Sequence, residues 1–188
     1  MNEQPARQPG LGFSMRAETP ADIPARNALI GRAMGPNWRR KASHRLRSGR
    51  VPSEGLAFVA LDAAGGVVGT VRLWDVRAGE GGPAALLLGP LAVDPAVKGA
   101  GIGSALMDLA IGEARRLGHR AILLVGDAPY YARFGFGAEK TGGLAMPGPY
   151  ERERFLALEL AAGALAAARG TLQATGRKKK PAPMARAA

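Results

Sequence analysis

Leu86–Leu117 reads L-L-L-G-P-L-A-V-D-P-A-V-K-G-A-G-I-G-S-A-L-M-D-L-A-I-G-E-A-R-R-L and divides into three parts. The apolar run through Val93 has the composition of a buried strand. Lys98 to Gly103 then packs glycine into alternate positions, and Ile102, Ala105, Leu106 and Leu109 recur three and four apart, the period of a helix. Glycine lets backbone approach a ligand closely, and the first N–H groups of a helix have no partner within it. Such a turn receives phosphate oxygens, helped by the positive end of the helix dipole, and Lys98 adds a charge beside it. Without a ligand the same turn is only a tight left-handed corner. Spacing separates the known phosphate loops: a dinucleotide G-x-G-x-x-G starting at Gly99 needs glycine where Ser104 stands, and no Gly-Lys-Ser/Thr ending is present.

Working outward, Leu117-Gly118 ends the helix and Ala121–Val125 forms a short buried strand, followed by A-P-Y-Y-A-R-F-G-F, Ala128–Phe136. Upstream, Leu56–Leu61 and Val67–Val76 flank Asp62-Ala63-Ala64-Gly65-Gly66, a hairpin signature. A second loop, Ala78–Pro83, leads into Ala84–Val93, so these strands form an antiparallel meander. Trp74 either shapes a pocket or packs the strand. Phe13–Glu18 is a first strand, and Thr19-Pro20-Ala21-Asp22 starts a helix that runs to about Met34 before Gly35-Pro36 breaks it. Trp38 to Arg50 carries Arg39, Arg40, Lys41, Arg45, Arg47 and Arg50 without a carboxylate. Trp38, Ala42 and Leu46 share one face of a short amphipathic helix there. That segment is either a solvated face or a surface for an anionic substrate, with His44 read as a surface residue. Gly137–Pro149 is a Gly- and Pro-rich loop, Arg154–Leu160 a last strand, and Ala161–Ala168 a helical continuation weakened by Gly163 and Gly170. The expected fold class is α/β, a mixed, largely antiparallel sheet flanked by helices.

The chain has 188 residues, 47% hydrophobic, enough for one substantial core and too few for two. The reading therefore gives a flexible N-terminal arm over 1–12, one domain over 13–172 and a basic disordered tail over 173–188. With no cysteine, disulfides and thiolate chemistry are excluded. His44 and His119 stand in no metal-ligand spacing, so no metal is expected. The N-terminus lacks the apolar core of a signal peptide, and no apolar run approaches the ~20 residues that span a bilayer, which points to a soluble, cytoplasmic protein. Of the net charge of +11, the stretch from Ala161 onward supplies six basic residues and no acid, leaving +5 for the rest. The basic segments contain no nucleic-acid reader motif, so no specific nucleic-acid partner is expected.

Lys98-x-x-Gly101-x-Gly103 resembles the Gln/Arg-x-x-Gly-x-Gly/Ala signature of the GNAT superfamily of acyl-CoA-dependent N-acetyltransferases, with Lys98 in place of the usual Gln or Arg. Leu91 to Pro95 is similar to that family's fourth strand and its exit. Tyr130-Tyr131-x-Arg133-Phe134-Gly135-Phe136 resembles its second acetyl-CoA motif in the YhbS-like branch. The resemblance spans roughly Phe13 to Leu160. It implies a sheet whose fourth and fifth strands splay to admit acetyl-CoA as cosubstrate. Backbone groups of Leu91, Ala92 and Val93 would hold the pantetheine arm, and Lys98, Gly99, Ala100, Gly101, Ile102, Gly103 and Ser104 the pyrophosphate. The implied activity is an N-acetyltransferase passing the acetyl group to an amine, small molecule or protein, by direct attack. Tyr131 takes the position of the acid that protonates the departing thiolate, and Tyr130 that of a packing residue. No carboxylate lies in Ala84–Val93, leaving Asp75 and Glu80 as candidate bases, and Gly126-Asp127-Ala128-Pro129 stands where the family often has asparagine. The alternatives are a noncatalytic acyl-CoA-binding or regulatory module, or acyl transfer involving an acidic carrier protein.

Overall fold

The computed structural model describes residues 12–179. The N-terminal arm, apart from Gly12, and the last nine residues of the tail lie outside the described residues. Strand β1 (Ser14–Ala17) is followed by a 3-10 turn and helix α1 (Ile23–Met34), then a second 3-10 turn (Pro36–Arg40) and helix α2 (Ala42–Arg47). Strands β2 (Ala57–Leu61), β3 (Val67–Arg77) and β4 (Ala84–Val93) form the antiparallel meander expected. Helix α3 (Ile102–Arg116), strand β5 (Ala121–Val125) and helix α4 (Ala128–Ala132) come next. The short strand β6 (Leu144–Ala145) lies inside the Gly- and Pro-rich loop, ahead of β7 (Phe155–Glu159), β8 (Gly170–Thr171) and β9 (Gln173–Ala174). The main sheet runs β1-β2-β3-β4-β5-β7, with β9 added to β3 and β6 paired separately to β8. Only the β4–β5 pairing in that sheet is parallel, which gives the mixed, largely antiparallel α/β architecture read from the sequence.

Period-two alternation sorts the strands into two cores. Leu86 and Leu88 of β4, Ile122 and Leu124 of β5, and Leu156 and Leu158 of β7 face α3. Ala85, Leu87, Ala121, Leu123, Phe155 and Ala157 face the other way, against Ala42 and Leu46 of α2. The buried stripe of α3, Ile102, Leu106, Met107, Ala110, Ile111 and Ala114, has the three-and-four spacing of a one-sided helix. Gly69 lets it close on β3: a Cβ there would stand 2.6 Å from Ile102 Cγ2 and 2.9 Å from Leu106 Cδ1. Among the described residues no helix is long and apolar enough to cross a membrane.

Strands β4 and β5 pair only at Leu86–Ile122 and Leu87–Leu123. Beyond those rows β4 bulges: Leu88 lies opposite Leu73 and Leu91 opposite Val71, so Gly89 and Pro90 share the single facing residue Arg72. The bulge turns Leu91–Val93 away from β5 and leaves that edge without a strand partner, while the other edge stays bonded to β3. This is the splay of the fourth and fifth strands.

Two expectations are corrected. Ala161–Ala168 forms turns rather than a helix, because Gly163 takes a left-handed φ of 71° and the Glu159 carboxylate holds the N–H groups of Gly163 and Leu165. The tail does not leave the domain at Gln173. Strand β9 pairs with Val76 and Arg77, the N–H groups of Thr175 and Gly176 bond Asp75 O, and Val51 N–H bonds Arg177 O. The cause is the length of β3, which outruns β2 by five residues and needs backbone partners for its free edge. Cutting the chain after Leu172 is therefore expected to lower the melting temperature, by ~2–4 °C for each kcal/mol of pairing lost. An unchanged melting temperature would show that this pairing adds no stability.

Candidate active site

A cavity of about 630 Å³ lies where β4 leaves β5. Of the residues singled out in the sequence, Leu91, Ala92, Val93, Lys98, Gly99, Gly101, Ile102, Gly103 and Ser104 line it, and Ala33 and Met34 of α1 close its far side. Ala100 does not, since its N–H turns back to Val97 O at 3.3 Å. Gly101 begins α3 with φ 79°, a left-handed corner that glycine adopts without strain. The first N–H bonded within the helix is that of Ala105, to Gly101 O at 3.0 Å, which leaves the N–H groups of Ile102, Gly103 and Ser104 for a ligand. Asp94 steadies the approach by accepting from Ala96 N–H, and Arg32 at the end of α1 donates to its carboxylate at 2.7 Å. Together these bonds lock the end of α1 beside the loop.

Two lining residues were not assigned to the loop from the sequence. Arg133 sits 3.5 Å from Ser104 Oγ and stacks on the Tyr130 ring, adding a second cation to the helix N-terminus. The Tyr130 hydroxyl lies over Gly103, where a Cβ would come within 2.9 Å of it. The Tyr130-x-x-Arg133 spacing, one helical turn, was the available signal.

Tyr131 stands at the end of β5. Its ring covers Gly126 so closely that a Cβ there would lie 2.1 Å from Cε2, and it meets Phe136 and Tyr130 edge-on. Asp127 caps α4 by accepting from Tyr130 N–H. Burial pushes the Tyr131 phenol up to about 12, with Tyr130 and Asp127 adding to the effect and Arg154 opposing it. Its hydroxyl bonds no other described residue. The two candidate bases are elsewhere: Asp75 accepts from Ser53 Oγ at 2.7 Å beside β9, and Glu80 is exposed in the β3–β4 loop. Neither borders the cavity, and Tyr131 is not among its lining residues either, although its neighbours Tyr130 and Arg133 are.

A second cavity, about 610 Å³, opens beneath α1 and α2 on the other side of the β4 bulge. Trp38, His44, Arg47, Arg72, Trp74 and Pro90 are among its lining residues. Pro90 borders this cavity and its neighbour Leu91 the first, so adjacent residues of β4 line the two. The basic Trp38–Arg50 segment is thus only partly a solvated face, since Arg47 turns inward and is buried. His44 is half-buried, edge-on to Trp38, with Nδ1 bonded to no described group. Burial, then Arg47 and Arg39, hold its imidazole below its usual range, so it is neutral at physiological pH.

Over 122 residues the chain is 32% identical to the uncharacterized N-acetyltransferase YhbS of Escherichia coli K12, an alignment covering 65% of this chain and 72% of that protein. The chain belongs to the GNAT acetyltransferase family. The family model described as an acetyltransferase (GNAT) domain matches residues 53–137 of the chain, from just before β2 to just past the Tyr131 motif. The crystal structure of E. coli YhbS in complex with CoA superposes on it with a TM-score of 0.75 at 29% identity, covering 90% of this chain and 93% of that one. A GNAT family acetyltransferase from Brucella melitensis in complex with acetyl-CoA has the same fold, with a TM-score of 0.61 at 24% identity over 89% of this chain and 93% of that one.

Proposed function

We propose that this GNAT protein transfers the acetyl group of acetyl-CoA to an amine by direct attack. The observation that carries this is the first cavity, where a free strand edge, Leu91–Val93, runs into the unbonded N-terminus of α3. A pyrophosphate suits the N–H groups of Ile102, Gly103 and Ser104, flanked by Lys98 and Arg133. The amide-bearing pantetheine arm suits the Leu91–Val93 edge as an added strand. The thioester then reaches the open end of the β4–β5 gap, on the side where Tyr131 packs over Gly126 just past the end of β5.

The amine must arrive as its free base, the minority form for a group of pKa ~10.4. No carboxylate of β4 borders the gap, so water takes that first proton. The nitrogen lone pair attacks the thioester carbonyl, the C–N bond forms, the C–S bond breaks, and the nitrogen loses its second proton. Tyr131 carries its proton at every physiological pH. Its phenol, at about 12, is a weaker acid than a thiol of pKa ~8.5. Tyr131 therefore donates a hydrogen bond to the sulfur as charge develops, and the proton released by nitrogen completes the neutralisation. With no cysteine in the chain, no acyl-cysteine intermediate can form, in keeping with direct attack. A cytoplasmic setting fits a cosubstrate that does not cross membranes.

Release of free CoA thiol across a panel of amines tests the proposal. Release that depends on both protein and amine supports it. Tight CoA binding with no release above the rate in water for any amine would favour a noncatalytic acyl-CoA-binding module.

A further inference from the structure

The second cavity holds more buried positive charge than the fold compensates. Glu18 bonds Arg26, and its other carboxylate oxygen lies 3.2 Å from Arg72 Nε without hydrogen-bond alignment. That single carboxylate serves two guanidinium groups. Arg47 then adds a third. It is 7% exposed, and its polar partners are the main-chain and side-chain oxygens of Ser43, which hold Nε and Nη2. Among the described residues no carboxylate pairs with Arg47 and no acceptor meets its Nη1, although the residue lines the cavity. Burying a guanidinium without a counter-charge is costly, and placing it near Arg72 adds repulsion. Burial, with the mutual repulsion of the pair, brings the Arg47 guanidinium down to about 10.

We infer that this cavity is the acceptor site of the proposed acetyl transfer and that it recognises an oxyanion on the acceptor, a carboxylate or a phosphate, through Arg47. The inference rests on the proposed function for its catalytic meaning, though not for the binding itself. An oxyanion supplies the missing counter-charge and meets the unused Nη1 donors. Trp38 and Trp74 form apolar walls for the body of the molecule, and Lys179, carried in by the chain after β9, adds a further cation. The cavity borders the β4 bulge one residue from Leu91, so an amine anchored by its anionic group faces the end of the pantetheine path.

Trp38 and Trp74 are the only tryptophans in the sequence and both line the cavity, so intrinsic fluorescence reports its occupancy without any turnover. Phenylacetate, phenyl phosphate and the neutral benzyl alcohol serve as probes. We expect a saturable change with one of the two anions, identifying carboxylate or phosphate, with the apparent Kd weakened roughly 10–100-fold in Arg47→Gln. In parallel, kcat/KM is compared for phenylalanine against phenethylamine and for phosphoethanolamine against ethanolamine. The anionic member of the matching pair is expected to win through KM, and Arg47→Gln to erase that preference while the CoA Kd stays put. If Arg47→Gln fails to fold, the contrast between the anions and benzyl alcohol in the wild-type protein decides alone. Absence of saturable binding by either anion overturns the inference, as does equal use of charged and neutral amines. Saturable anion binding with no acetyl transfer to any amine would keep the anion site and remove the proposed reaction.

Discussion

Tyr131→Phe is expected to lower kcat for acetyl transfer by roughly 10²-fold while CoA affinity and the fold persist. The substitution keeps the ring that covers Gly126 and packs on Phe136, so the end of β5 stays in place. What it removes is one hydroxyl, bonded to no other described residue and kept protonated by burial. Because the phenol titrates at about 12, its ionisation lies beyond the range in which rates are measured. The two pH–rate profiles should therefore run parallel below about pH 11, displaced vertically, with no alkaline limb belonging to Tyr131. Tyr130→Phe leaves the sulfur end untouched and removes a hydroxyl beside Gly103, so its effect should fall on CoA affinity instead. Equal single-turnover rates for wild type and Tyr131→Phe would make Tyr131 a packing residue and leave sulfur stabilisation to another group.

The second large effect is expected at the loop. Gly101→Val places a β-branched residue at φ 79°, a conformation that costs ~1–3 kcal/mol for an ordinary L-residue and more for valine. The corner relieves that strain by moving, which turns the first N–H groups of α3 away from the phosphates. Calorimetric titration with CoA is expected to show affinity reduced roughly 10–100-fold or more, counting strain and lost charge-assisted bonds together. The melting temperature without ligand should drop only modestly, because Gly101 is exposed and no atom lies near its missing Cβ. Unchanged CoA affinity would remove this loop from the binding site.

Much of the fold was legible because local rules agreed with one another. The hairpin loop at Asp62–Gly66, the period-two strands and the stripe of α3 each point to a single arrangement, and the Lys98–Gly103 turn marks where strand and helix meet. What escaped depended on partners distant in sequence. The chain after Leu172 reads as tail because composition carries no record of the free β3 edge, at Asp75–Arg77, whose backbone captures Gln173–Gly176. Arg47 looked like one more charge in a basic run. Its burial follows from α2 packing Ala42 and Leu46 inward, which swings the next residue beneath α1. Arg133 lay in view within the second motif, yet only the fold brings it across 29 residues to Ser104. The carboxylates Asp75 and Glu80 were proposed by elimination, and the geometry gives them other surroundings.

The measurement that bears most directly on the proposed reaction follows the acetyl group itself. Acetyl-CoA carrying an isotopic label in its acetyl group is mixed with excess protein and the amines that release thiol, and the products are weighed by mass spectrometry within a single turnover. Label appearing in the N-acetyl amine in amounts equal to the thiol released, and reduced in rate by Tyr131→Phe, is the predicted result. Label recovered as acetate, or left in acetyl-CoA that the protein has bound, would contradict transfer to an amine.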